Sequence, residues 1–149
     1  MYKLDGVTKD YRKGHQVVEA LRGVDVTIGD GQWLAIQGPT GQGKSTLLQL
    51  LGGLDRPTAG RIELDGQDLA RLREGRLTGV RARSIGFIFQ TFNLIPTLSA
   101  VENVETALVP LGVHGARRRD RAAQALERVG LAERLRHLPS ELSGGQPDP

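Results

Sequence analysis

No cysteine occurs in the chain, which excludes a disulfide framework and any thiolate metal site. Aromatic residues are scarce at 4%, and none sits among the arginine clusters where single-stranded nucleic acid would need stacking platforms. Long apolar runs are absent too: Trp33 to Ile36 and Leu94-Ile95 are far shorter than the roughly 18 residues a membrane-spanning helix requires. The start, Met1-Tyr2-Lys3-Leu4-Asp5, lacks the apolar core of a secretory signal, so a cytoplasmic chain is expected. What remains is 149 residues with 38% hydrophobic and 25% charged content, the balance of one ordinary globular domain.

The formal net charge is only +3, yet its sign is unevenly placed. Arg71, Arg73, Arg76, Arg81 and Arg83 form one cluster, and Arg117, Arg118, Arg119 and Arg121 another. Such runs can meet phosphates, but they serve more often as a solvated face, and the missing aromatics argue against a nucleic-acid partner.

Hydropathy patterning suggests an α/β chain. From Tyr2 to Trp33 the pattern is strand-like, with Val24, Val26 and Ile28 alternating before the turn Gly29-Asp30-Gly31. Trp33-Leu34-Ala35-Ile36 reads as a strand buried on both faces. After a glycine-rich loop, Leu47, Leu50, Leu51 and Leu54 fall at helical spacing until Gly52-Gly53 and Pro57 close the helix. Arg61 to Gly66 reads as a short strand and turn, and Ser84 to Phe89 as a strand ending at Gln90. Ser99-Ala100-Val101-Glu102 has capping-box spacing, so a helix should start there with Val101, Val104 and Leu108 inward. A second helix is expected over Arg121 to Val129, with Ala122, Leu126 and Val129 inward and Gly130 as its stop. A short third is expected over Leu131 to Leu138.

Gly38-Pro39-Thr40-Gly41-Gln42-Gly43-Lys44-Ser45 satisfies the phosphate-loop pattern in a strand-to-helix context. Glycines let the backbone curl so that successive N-H groups point inward, and the helix that follows adds the positive end of its dipole. Lys44 would place a compact charge on the β- and γ-phosphates, and the Ser45 hydroxyl would ligate Mg²⁺, with Thr46 next in the loop. A dinucleotide-binding reading fails because Gly38, Gly41 and Gly43 do not follow G-x-G-x-x-G. The chain also lacks the Asn-Lys-x-Asp motif by which a GTPase would read guanine.

Further along stand Phe87-Ile88-Phe89-Gln90-Thr91-Phe92-Asn93-Leu94-Ile95-Pro96 and then Leu142-Ser143-Gly144-Gly145-Gln146. With the phosphate loop, this ordered set resembles the ABC-transporter ATPase family, whose signature reads Leu-Ser-Gly-Gly-Gln and whose Q-loop lies between the two. The wording around Gln90 and Leu94-Ile95-Pro96-Thr97-Leu98 is most similar to the branch serving lipoprotein release and macrolide export.

The resemblance implies a P-loop NTPase core of ABC type that binds ATP and Mg²⁺ and hydrolyses ATP. Residues 1–93 would form the β portion and phosphate-loop core, 94–141 a helical insert and 142–146 the signature. Tyr11 would stack on adenine. Gln90 would contact Mg²⁺ and the attacking water. Phe92 to Pro96 would face a transmembrane permease subunit, holding the chain on the inner face of the plasma membrane. Ser143, Gly144, Gly145 and Gln146 would hold the γ-phosphate of ATP on a second subunit in a head-to-tail dimer.

The family pattern continues past the signature with a helix, an apolar strand ending in an aspartate and a glutamate, and a histidine. This sequence stops three residues after Gln146. The expectation is therefore a truncated cassette with an incomplete core sheet and unpaired ladder groups. Its alternative role is a non-hydrolysing module that binds ATP or completes a partner's site.

Overall fold

The structure, a computed structural model, describes residues 1–142. The chain divides into two compact units, Met1–Arg81 and the part from Ala82 on.

In the first unit, β1 (Tyr2–Lys13) and β2 (Gln16–Ile28) form a long antiparallel hairpin. After the phosphate loop come α1 (Lys44–Leu51), β3 (Ala59–Leu64), β4 (Gln67–Asp68) and α2 (Glu74–Ser84). The sheet order is β2-β1-β3-β4, antiparallel throughout, so β1 pairs on both sides. The expected alternation holds: Val24, Val26 and Ile28 are half-buried while Asp25 and Thr27 are exposed. Leu4, Val7, Leu21, Leu50, Ile62, Leu64, Leu69 and Leu77 are the buried apolar residues of this unit.

Where β1 changes register, Gly6 takes a φ of 53° and its N-H bonds Asp25 Oδ1 at 2.6 Å. Opposite it, Gly60 has a φ of 86°, and a β-carbon there would lie 2.4 Å from the Gly6 carbonyl oxygen. Two strands thus approach so closely that only glycine fits, the usual meaning of a glycine inside a strand.

Helix α1 is the expected one. The Tyr2 hydroxyl donates to Leu51 O at 2.9 Å, tying the end of α1 to the first residue of β1. Leu54 falls outside the helix and is exposed, because Gly53, with a φ of 60°, has already turned the chain.

Two expected strands are not formed. Trp33 to Ile36 carries no ladder, and Trp33 is 98% exposed. Among the described residues, none pairs with this run. An apolar run states what a segment can bury, but a strand forms only where another supplies its N-H and C=O partners. Ser84 instead ends α2, and Phe87 and Phe89 stack at 4.6 Å between ring centroids with no strand beside them.

Helix α2 was missed because its mean hydropathy is polar and only Leu77 is buried. Within it, Arg81 donates to Gly53 O at 3.0 Å, Thr78 Oγ1 at 3.0 Å and Glu74 Oε1 at 2.6 Å. This arginine is a tether rather than part of a solvated face.

The second unit contains α3 (Ala100–Leu108), α4 (Gly115–Arg128), a single 3-10 turn at Ala132–Arg134, and α5 (Pro139–Leu142). The Ser99 capping box is present: Glu102 Oε2 accepts the Ser99 N-H at 2.8 Å and its hydroxyl at 2.5 Å. These hydrogen bonds hold the Glu102 carboxyl below its ordinary value. Ala100, Val101, Ala122 and Leu126 are the core, with Val104, Leu108, Leu131, Leu135 and Leu142 packed around it.

Helix α4 begins six residues before the expected Arg121, and Val129 is 68% exposed rather than inward. The arginine run is itself helical, and Arg118 reaches Glu105 of α3 at 3.9 Å. Of the expected third helix, Leu131 to Leu138, only the 3-10 turn Ala132–Arg134 forms; α5 starts after it, with Pro139 at a first-turn position that a helix tolerates.

Gly60→Ala should destabilise the protein by roughly 2 kcal/mol or more, combining positive-φ strain with the collision against Gly6. The midpoint of urea unfolding checks this.

Candidate phosphate-binding site

The loop between β2 and α1 has the backbone that a phosphate cradle requires. Gly38, Gly41 and Gly43 take φ values of 151°, 86° and 73°, which side-chain-bearing residues rarely adopt. Gly43 is also sterically closed: a β-carbon there would sit 2.2 Å from Ala20 O and 2.9 Å from Leu21 Cδ2 of β2. The loop is thereby pressed against β2 just before the helix begins at Lys44.

Lys44 leads α1, and its ammonium donates to Gly38 O at 2.7 Å and Pro39 O at 2.6 Å, arching over the loop. The first N-H groups of a helix have no intrahelical acceptor, so those of α1 carry the positive end of its dipole toward the loop. Lys44, Ser45 and Thr46 line one cleft of about 470 Å³ with Thr40, Gly41, Gly43, Tyr11, Val18, Glu19 and Ala20. The structure therefore brings Tyr11 together with Thr40, Gly41, Gly43, Lys44, Ser45 and Thr46, about thirty positions downstream of it in the sequence. Gln42 lines an adjoining hollow with Gly41 and β2 residues.

An ammonium, curled backbone, helix start and hydroxyls suit a polyphosphate. The Ser45 hydroxyl is the kind of hard oxygen donor Mg²⁺ takes while keeping waters and phosphate oxygens as its other ligands.

Tyr11 is 37% exposed and anchored by residues the sequence reading did not single out. Its hydroxyl donates to Asp55 Oδ2 at 2.9 Å, while Lys9 Nζ donates to Asp55 Oδ1 at 2.8 Å and Arg56 O at 2.7 Å. Lys9 Nζ also lies 4.9 Å from the Tyr11 ring centroid. Burial pushes the Asp55 carboxyl up, but the hydrogen bonds from Lys9, the Arg56 N-H and Tyr11 outweigh it and hold it below its ordinary value. Partial burial, then the bond to Asp55, raises the Tyr11 phenol, so it stays a donor at neutral pH. The sequence signal for this cluster was faint: Lys9 and Tyr11 share one face of β1 by strand alternation, whereas nothing local to Asp55 predicts its partners.

In the second unit, Gln90 is exposed in a turn closed by Phe92 N to Phe89 O at 3.2 Å. Phe92 and Asn93 have φ values of 60° and 49°, and Phe92 is 76% exposed. Asn103 of α3, also missed, holds the segment that follows. Its Oδ1 accepts Ile95 N-H at 2.8 Å, and its Nδ2 donates to Ile95 O at 3.1 Å, Leu98 O at 2.8 Å and Ser99 O at 3.1 Å. Thr91, Phe92, Leu94, Pro139, Ser140 and Leu142 line a largely apolar groove of about 440 Å³. Ser143, Gly144, Gly145 and Gln146 lie outside the described residues.

Because the Asp55 carboxyl is lowered, its contribution to stability is present above the ordinary value of 3.8 and is lost as the pH falls through the lowered one. The difference in Tm between wild type and Asp55→Asn should stay constant from neutral to mildly acidic pH, then shrink below that value. Thermal melts across that range check it. In the second unit, Asn103→Ala should cost about 1–3 kcal/mol by orphaning loop groups, read from denaturant unfolding.

The sequence profile of the family described as ABC transporter matches residues 21–148. An uncharacterized ABC transporter ATP-binding protein of Thermotoga maritima is 49% identical over 144 residues, covering 97% of this chain and 62% of that protein. The uncharacterized ABC transporter ATP-binding protein YknY of Bacillus subtilis is 46% identical over 146 residues, covering 98% and 64%. The macrolide export ATP-binding/permease protein MacB of Brucella abortus is 46% identical over 146 residues, but this chain spans only 23% of it. Among solved structures, the ATP-binding cassette MJ0796, a dimer in a post-hydrolysis state bound to ADP and Pi, superposes with a TM-score of 0.86 at 43% identity. That match covers 98% of this chain and 65% of the cassette. The chain thus spans a little under two thirds of the ATP-binding relatives it matches. With a phosphate loop built as described and a profile match over most of its length, the chain belongs to the ABC transporter family.

Proposed function

We propose that the chain is the nucleotide-binding part of an ABC transporter ATPase, which binds MgATP and couples its hydrolysis to transport by a membrane partner. The observation that carries this reading is the cleft in which Lys44, Ser45 and Thr46 meet the curled glycines and Tyr11. In it, Lys44 supplies charge to the β- and γ-phosphates, the loop N-H groups bind the phosphate oxygens, and Tyr11 stacks on the adenine. Ser45 would hold Mg²⁺, whose chemistry is to neutralise charge on the transferred phosphoryl group.

The same reading gives Gln90 the attacking water to orient. Ser143, Gly144, Gly145 and Gln146 take the γ-phosphate of ATP bound by a second subunit, in a head-to-tail dimer. It is supported by the dimeric, ADP- and Pi-bound state of the similar cassette MJ0796. Phe92 to Pro96 is the surface offered to a transmembrane permease. Its support is that Phe92 is held exposed at positive φ beside an apolar groove, a costly arrangement for a large aromatic side chain. No described helix is long and apolar enough to cross a membrane. In this reading the permease holds the chain on the inner face of the plasma membrane. In this layout residues 94–141 act as the helical insert between core and signature.

Lys44→Ala should weaken binding of both MgATP and inorganic tripolyphosphate by about 10- to 100-fold, the range of a charge-assisted contact. Calorimetric titration reads both constants, and unchanged affinities in a folded variant would refute the phosphate reading. Phosphate release measured on the same preparations separates a hydrolysing subunit from a binding-only module. A stacking plane reads no particular base, so GTP should bind within about an order of magnitude of ATP.

A further inference from the structure

We infer that Asp55 and Lys9 are positioning residues for the base of the nucleotide, clamping Tyr11 so that one ring face is filled and the other is presented at the mouth of the phosphate cleft. This rests on the nucleotide reading above and deepens it.

An aromatic side chain near the end of a strand turns about its torsions unless packing or a hydrogen bond holds it. Tyr11 sits near the end of β1, over a third exposed, with two free torsions and only partial packing to restrain it. Its hydroxyl is nevertheless held by Asp55 at 2.9 Å, and Asp55 lies just beyond the end of α1. The helix whose first residue is Lys44 thus carries, in the turn after its last residue, the acceptor that fixes the aromatic ring. Phosphate loop and ring are coupled through α1 and the short turn that follows it, so a ligand spanning both meets a preset separation. Preset geometry spares the ordering cost that a free ring would pay on binding.

Lys9 sets the ring's orientation. Its side chain is only 12% exposed, and its ammonium is fixed by Asp55 Oδ1 and Arg56 O while lying 4.9 Å from the ring centroid. A cation so placed attracts the π-electron face and occupies it. The opposite face is left for a planar base. Backbone ties keep the strand itself in place: Asp10 N donates to Thr58 Oγ1 at 2.9 Å and Thr58 N to Thr8 O at 2.9 Å. Asp55 is thus engaged by Lys9, Tyr11 and the Arg56 N-H, and every one of those contacts serves to hold the segment around the ring.

The test compares a ligand that has a base with one that has none. On the purified protein, Asp55→Ala and Tyr11→Phe should each weaken MgATP binding roughly three- to tenfold, the range of one hydrogen bond. Each should change affinity for inorganic tripolyphosphate by less than about twofold. In the double variant the losses should fall well short of additive, because both substitutions break the Tyr11–Asp55 bond, although Asp55→Ala also frees Lys9. Equal loss for both ligands, no loss for MgATP, or additive losses would each overturn the clamp. If Asp55→Ala does not fold, Tyr11→Phe alone decides, since it keeps the ring and removes only the held hydroxyl. Tyr11→Ala separates the two levels of the argument. If it leaves the preference for MgATP over tripolyphosphate unchanged, stacking on Tyr11 itself fails. If it lowers that preference while Tyr11→Phe does not, stacking stands and the clamp falls.

Discussion

At Gly43 the chain must pass so close to the Ala20 carbonyl that a β-carbon would lie 2.2 Å from its oxygen, and it must do so at a φ of 73°. Both demands are met by glycine alone. This close passage seats the loop against β2 and starts α1 at the next residue, which decides where Lys44, Ser45 and Thr46 stand. It also places the helix whose far end reaches Tyr2 through Leu51 and Tyr11 through Asp55. The first unit is thus organised around one backbone contact, and its cleft inherits that geometry.

Polar side chains then do what a small core cannot. The buried apolar residues of the first unit are few, and most are leucine, valine or isoleucine facing the sheet. Loops outside that core are held by single multivalent groups: Asp55 gathers Lys9, Tyr11 and the Arg56 N-H, while Arg81 ties α2 to Gly53 and also bonds Glu74 of its own helix. In the second unit, Asn103 does the same for residues 95–99. Each group satisfies several backbone or side-chain partners at once, so its loss leaves more than one polar atom unmatched. In the proposed function this economy would tie activity to stability, because two of the segments so held carry Tyr11 and follow Gln90.

Membership of the ABC transporter family gives these details a context. Relatives matched over nearly all of this chain include ATP-binding proteins and a fused ATP-binding and permease protein. A positive φ at Phe92 and Asn93, next to an exposed aromatic ring, is the kind of local strain that a packed core would not retain without use. In the proposed function, the clamp on Tyr11 would give the phosphate loop a partner for the rest of a nucleotide.

The phosphate loop, helix α1, the capping box at Ser99 and the alternation of β2 were legible from residue order alone. Each depends on interactions within a few positions: glycine's access to positive φ, a carboxylate three residues from its cap, a period of two along a strand. The resemblance to ABC ATPases was likewise carried by ordered local motifs. Tertiary structure alone decided the rest. Trp33 to Ile36 and Ser84 to Phe89 have strand-like patterns, but a ladder requires a partner the pattern does not name, and among the described residues none pairs with them. Helix α2 stayed hidden because its anchoring runs through Leu77 and Arg81 to a distant glycine turn rather than through a broad apolar stripe. Asp55 was invisible for the same reason: its role is set by Lys9 and Tyr11, more than forty positions away, brought to it only when β1 folds beside the end of α1.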